Sequence, residues 1–144
     1  MNIKARLSDN IFITSLFLII VTVGVCMVKP VNAKEYISKA QVKTLYQAPI
    51  PGLQGKEMIV KHLALPAKFE GGKHMHPGPV YVYVLEGELT VQLEGGAKTF
   101  KAGNLYAEDI NTAMIAKNIS TYNSVKILVF QIGSIGQPMM IKVK

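Results

Sequence analysis

The chain has 144 residues, 49% of them hydrophobic and 17% charged, enough for one packed domain and too few for two of ordinary size. Its formal charge is +7, yet the lysines are scattered and Arg6 is the only arginine. The clustered basic surface interleaved with aromatics that marks a nucleic-acid site is missing, so no nucleic-acid partner is expected. The single cysteine, Cys26, lies in an N-terminal apolar stretch, which leaves no disulfide or thiolate chemistry to the residues after it.

Lys4 and Arg6 precede an apolar run of 18 residues, Ile11 to Val28, and Val31-Asn32-Ala33 then places small residues at the −3 and −1 positions of a cut site. Basic start, apolar middle and small-residue site are the order of a secretory signal peptide over residues 1–33. Cleavage after Ala33 is expected, with export to the periplasm or medium. The run is also just long enough for a bilayer, so the alternative is an uncleaved N-terminal anchor, the chain's one route to a membrane. Val25, before Cys26, is not the small residue that lipid attachment requires.

Residues 34–40 read as a polar, loose tail, and 41–144 as the folded domain. Gln41 to Gln47 is predicted as a short edge strand. Glu57 to Leu65 alternates as a strand, with Met58, Val60, His62 and Ala64 on one face and Ile59, Lys61, Leu63 and Leu65 on the other. After the Glu70–Lys73 turn come His74-Met-His76 and a Pro-Gly-Pro turn. Val80 to Leu85, Leu89 to Leu93, Lys98 to Lys101, Leu105 to Ala107, Ala113 to Lys117, Ser124 to Ile132 and Met139 to Val143 complete a series of short strands. They are separated by turns rich in Gly, Asn and Pro. No stretch after the leader keeps a helical period. The fold class is therefore all-β, a sandwich or barrel.

In an extended strand His74 and His76 face the same way, about 7 Å apart, so both imidazoles can reach one ion. The stretch from His74 to Glu88 resembles the first motif of the cupin family: two histidines separated by one residue, then three or four residues, a glutamate, six residues, and a glycine. His74, His76 and Gly87 fill their places, and Val80 stands where the glutamate belongs. A second, weaker match runs from Gly103 to Asn118. Both ends fit, Asp109 replaces a proline, Asn111 replaces a glycine, and Met114 takes the third histidine's place. The resemblance covers about residues 41–140. It implies a double-stranded β-helix, the jelly-roll cupin barrel.

It also implies a depleted metal-ligand set. Iron or manganese sites want imidazoles with a carboxylate, whereas a thioether prefers copper. His74, His76 and Met114 are thus the candidate ligands of one metal ion, with copper favoured over Fe, Mn, Ni or Zn. The alternative is no metal at all, Val80 and Met114 simply filling the pocket. His62, Val80 and Gln92 are candidates to line a ligand pocket, and Gln131 is a further residue that can point inward. Tyr81 and Tyr83 fall on the face opposite Val80. Large apolar residues on both faces of the Val80 and Ser124 strands exceed what one small barrel can enclose, so a homodimer is expected. The leading functional expectation is an exported protein that binds a metal ion or a small molecule in its barrel. The alternatives are a cupin-type metal-dependent dioxygenase or isomerase acting on a small metabolite, and a non-catalytic structural or interaction module.

Overall fold

The computed structural model describes residues 39–144. The expected leader, 1–33, and most of the expected tail lie outside the described residues. Ten strands follow one another: β1 (Gln41–Pro49), β2 (Lys56–Leu65), β3 (His74–Met75), β4 (Val80–Glu86), β5 (Glu88–Leu93), β6 (Gly96–Lys101), β7 (Leu105–Glu108), β8 (Ile115–Lys117), β9 (Val125–Ser134) and β10 (Ile141–Lys142). Every predicted strand is present, and no boundary moves by more than two residues.

The strands make a five-stranded sheet in the order β1-β2-β9-β4-β7, a three-stranded sheet β6-β5-β8, and a short pair β10-β3. This is the jelly roll that the resemblance implied. The period-two pattern decides which side chains go inside. On β4, Val80, Val82 and Val84 are buried; on β9, Val125, Ile127 and Val129 are. With Leu65, Leu89, Val91 and Met114 they form the hydrophobic cluster of the core. Burying each such side chain stabilises the fold by about 1.5–3 kcal/mol.

Two turns show how local chemistry sets the strands in place. Gly87 joins β4 to β5 with φ +78°, and a Cβ there would stand 2.9 Å from the Ser124 carbonyl oxygen. Glycine is required on both counts. Asn118, buried between β8 and β9, donates through Nδ2 to the carbonyls of Leu65, Pro66 and Asn123, while its Oδ1 accepts from the Ser120 amide. It ties the end of β2 to the loop that starts β9.

Candidate functional site

The site is assembled where β3, β10, β7 and β9 approach one another. His74 is held in place by its backbone, which exchanges hydrogen bonds with Met114 at 2.9 and 2.8 Å. The His76 carbonyl accepts from the Asn111 amide at 2.8 Å. Asn111 itself has φ +57°, a left-handed conformation that asparagine tolerates better than most residues, so it can stand in for the family's glycine.

As the alternation predicted, both imidazoles face one cavity. Their ring centroids are 5.1 Å apart and the rings are nearly perpendicular. Each ring is anchored through Nδ1, whose N–H donates to a backbone carbonyl: His74 to Gly72 at 2.8 Å, His76 to Met139 at 2.6 Å. A carbonyl can only accept, so the tautomer is settled and Nε2 is left to work.

For His76, Nε2 lies 3.0 Å from Oε2 of Glu108, with both side chains only 8% exposed. The other carboxylate oxygen of Glu108 accepts from the Tyr106 hydroxyl at 3.1 Å. The Tyr106 ring stacks on Phe100, centroids 3.7 Å apart. Burial is the largest single influence on His76 and disfavours its charge. The hydrogen bond and charge of Glu108, with the Met139 carbonyl and Gln131 adding to them, outweigh it and raise the pKa above the usual histidine value. Burial, reinforced by Glu108, pushes the Tyr106 phenol well above its ordinary range, so it remains a neutral donor. Gln131 is buried, and its Oε1 has no hydrogen-bond partner.

Glu108 corrects the expectation that no carboxylate remains. Val80 pairs directly with Glu108 on β7 and with Gln131 on β9. Directly opposed residues project to one face, about 4.5–5.5 Å apart. Polar groups absent at position 80 are therefore supplied from the two neighbouring strands. Copper was favoured by the missing carboxylate and by the Met114 thioether; Glu108 removes the first ground, and Met114 is packed in the core cluster. Parity could have found the residue, because Tyr106 and Glu108 share a face of β7. The strand runs one residue past the expected Leu105 to Ala107, and that residue is Glu108.

The cavity is about 500 Å³, and Leu63, Leu65, Phe69, Val82, Ile127 and Val129 are among its apolar walls. Its polar lining comes from Lys61, His74, His76, Tyr106, Glu108 and Lys142. The three residues expected to line a pocket do not line this one. His62 alternates with the inward Lys61 and Leu63 and so lies on the outer side of β2. Val80 is fully packed in the core. Gln92 donates to the Leu93 carbonyl at 2.9 Å. Met114 shares a face with His74, its bridge partner, but is 3% exposed and packed in the core cluster.

The two anchored imidazoles and Glu108 are the donors that could hold a metal. Among the described residues, however, no three His, Cys, Asp or Glu side chains already converge as a metal-binding group. An ion would have to take the place of the proton between His76 and Glu108. The residues fit a weakly held ion that competes with protons.

A family model described as a cupin domain matches residues 62–130. No curated protein sequence matches the chain. Among solved structures, a cupin with a double-stranded β-helix fold from Methanocaldococcus jannaschii is 21% identical, with a TM-score of 0.54, over 68% of this chain and 83% of that one. The KdgF protein of a Halomonas species is 20% identical, with a TM-score of 0.51, over 64% and 77%. A DMSP lyase from Ruegeria pomeroyi is 16% identical, with a TM-score of 0.52; the match covers 60% of this chain and spans 43% of the lyase. These likenesses establish a shared fold.

Proposed function

We propose, for a chain that belongs with the cupins by its fold and by the domain model it matches, that it binds a small, largely apolar molecule inside the barrel. The observation that carries this reading is the cavity of about 500 Å³, with aliphatic walls and one polar end built from His74, His76, Tyr106 and Glu108. Apolar walls with a few convergent polar groups are the usual design of a small-molecule site. Here His76 and Tyr106 position the polar group of the bound molecule, Glu108 holds both of them, and the aliphatic walls exclude water from its body.

A divalent ion, held by His74 and His76 with Glu108 completing the set, would supply Lewis acidity at that polar end. This secondary reading is favoured by one observation, the carbonyl anchor on each Nδ1, which leaves the His74 Nε2 free to act as a ligand and the His76 Nε2 able to exchange its proton toward Glu108 for an ion. We also place the protein outside the cytoplasm, on the strength of the leader-like residues 1–33. The outer groove formed by Met58, Tyr81, Tyr83, Leu105, Phe130 and Ile132 supports a dimer of two copies.

The test is titration of the chelator-treated protein with naphthamide, a neutral apolar probe that the cavity can enclose. Saturable binding at one site per chain is expected. Ala116→Leu, which adds bulk to the cavity wall, should weaken it at least tenfold with the circular dichroism spectrum unchanged. Absence of saturable binding, or binding indifferent to that substitution, would remove the cavity from consideration.

A further inference from the structure

The charges that line the cavity are unequal in sign. Glu108 is already matched by His76 at 3.0 Å. Lys142 is exposed at the end of β10. Lys61 is different, because it is half-buried on the inward face of β2, on the same side as Ile59 and Leu63. Its direct neighbours in the sheet are Thr44 on β1 and Val129 on β9, and Val129 is buried in the core. Among the described residues Lys61 has neither a carboxylate nor a hydrogen-bond partner. The other lysines near carboxylates do: Lys101 reaches Glu88, Lys117 reaches Glu70, and Lys126 reaches Glu86.

Half-buried in the lining of an apolar cavity and without a counter-ion, Lys61 is the group there most ready to pair with an incoming anion. Of the other charged lining residues, Glu108 is paired with His76 and Lys142 is a second cation, so the uncompensated charge of the cavity is positive. We infer that Lys61 is the recognition cation of the site and that its ligand is an amphipathic anion. The ligand class is a carboxylate or similar oxyanion on an apolar body, the anionic group meeting Lys61 and the body lying along Leu63, Val82, Ile127 and Val129. Lys142, in water at the cavity edge, adds long-range attraction but little selectivity. Lys61 is thus a specificity-determining residue, and His76, Tyr106 and Glu108 remain available for any second polar group on the ligand.

This inference rests on the cavity being the binding site, and the experiment separates the two claims. Three probes of one shape are titrated calorimetrically into the wild-type protein and into Lys61→Met: naphthoate, neutral naphthamide, and the naphthylmethylammonium cation. We expect naphthoate to bind at least tenfold more tightly than naphthamide, and the cation to bind more weakly than either. Lys61→Met keeps the length and apolar stem of the side chain, so it should remove the preference for naphthoate while leaving naphthamide within about twofold. Equal affinity for naphthoate and naphthamide in the wild type would overturn the anion assignment and leave the cavity reading standing. So would a preference that survives Lys61→Met, which would place the selecting charge elsewhere. Tightest binding of the cation would also overturn it and make Glu108 the selecting group. If none of the three binds, the cavity reading falls and this inference falls with it.

Discussion

Replacing Glu108 separates the roles of its shape, its oxygens and its charge. In the native protein its carboxylate meets two buried polar groups, the Tyr106 hydroxyl at 3.1 Å and His76 Nε2 at 3.0 Å. Leucine at this position has similar bulk and offers neither contact. Each buried polar group left without a partner costs about 1–3 kcal/mol, so two give about 2–6 kcal/mol. His76 can release its proton once the carboxylate is gone, so no buried charge is stranded. That places Glu108→Leu in the lower half, at about 2–4 kcal/mol. Glutamine keeps an oxygen for Tyr106 and turns an amide N–H toward neutral His76. Glu108→Gln should therefore cost no more than about 1.5 kcal/mol. The assay is equilibrium urea unfolding at neutral pH with chelator present, comparing midpoints at constant slope. If the leucine variant matches the wild type, or the two substitutions cost the same, the hydrogen-bonding argument for Glu108 is wrong.

Three further outcomes follow from other parts of the fold. Asn118→Ala should destabilise by about 2–4 kcal/mol, because the carbonyls of Leu65, Pro66 and Asn123 and the Ser120 amide lose one shared partner; urea unfolding reads this directly. The pKa of Glu57 is lowered by its hydrogen bond from Gln47 and then by the Gly136 amide, against the opposing effect of burial. A lowered folded-state pKa gives stability that is present above the unfolded value near 4.5 and is lost as pH falls through the folded value. Glu57→Gln should accordingly flatten the acid side of the stability profile below about pH 4.5 and leave its slope at neutral pH unchanged. Leu105→Lys puts a charge into the outer apolar groove and should shift the sedimentation coefficient from dimer to monomer; a wild type that is monomeric at micromolar concentration would refute the dimer.

The fold was legible because period-two alternation on β2, β4 and β9 states which side chains turn inward. The same alternation places His74 and His76 on one face of their strand, and Tyr81 and Tyr83 opposite Val80 on theirs. The site was legible only in part. The family pattern points to positions 80 and 114, where Val80 and Met114 stand in place of the expected ligands. The carboxylate is instead Val80's cross-strand neighbour, Glu108, and sequence order does not reveal which strands become neighbours. β7 joins the sheet beside β4, 25 residues apart from Val80 to Leu105 in the chain, and only that pairing brings Glu108 to His76. Gln131 and Lys61 posed the same difficulty. Alternation offered two faces, and composition alone did not say that the inward one carried a glutamine and a lysine.

The central claim is that the barrel cavity, at its His74–His76 end, is where a ligand binds. The chain has three histidines: two line that cavity, and the third, His62, lies on the outer side of β2. The most direct measurement follows the three imidazole resonances by NMR while chelator-treated protein is titrated with naphthoate. With the ligand at that end of the cavity, the His74 and His76 signals shift together, saturating with the binding curve, while His62 stays in place. Binding that leaves His74 and His76 unmoved, or that moves His62 alone, would contradict that claim.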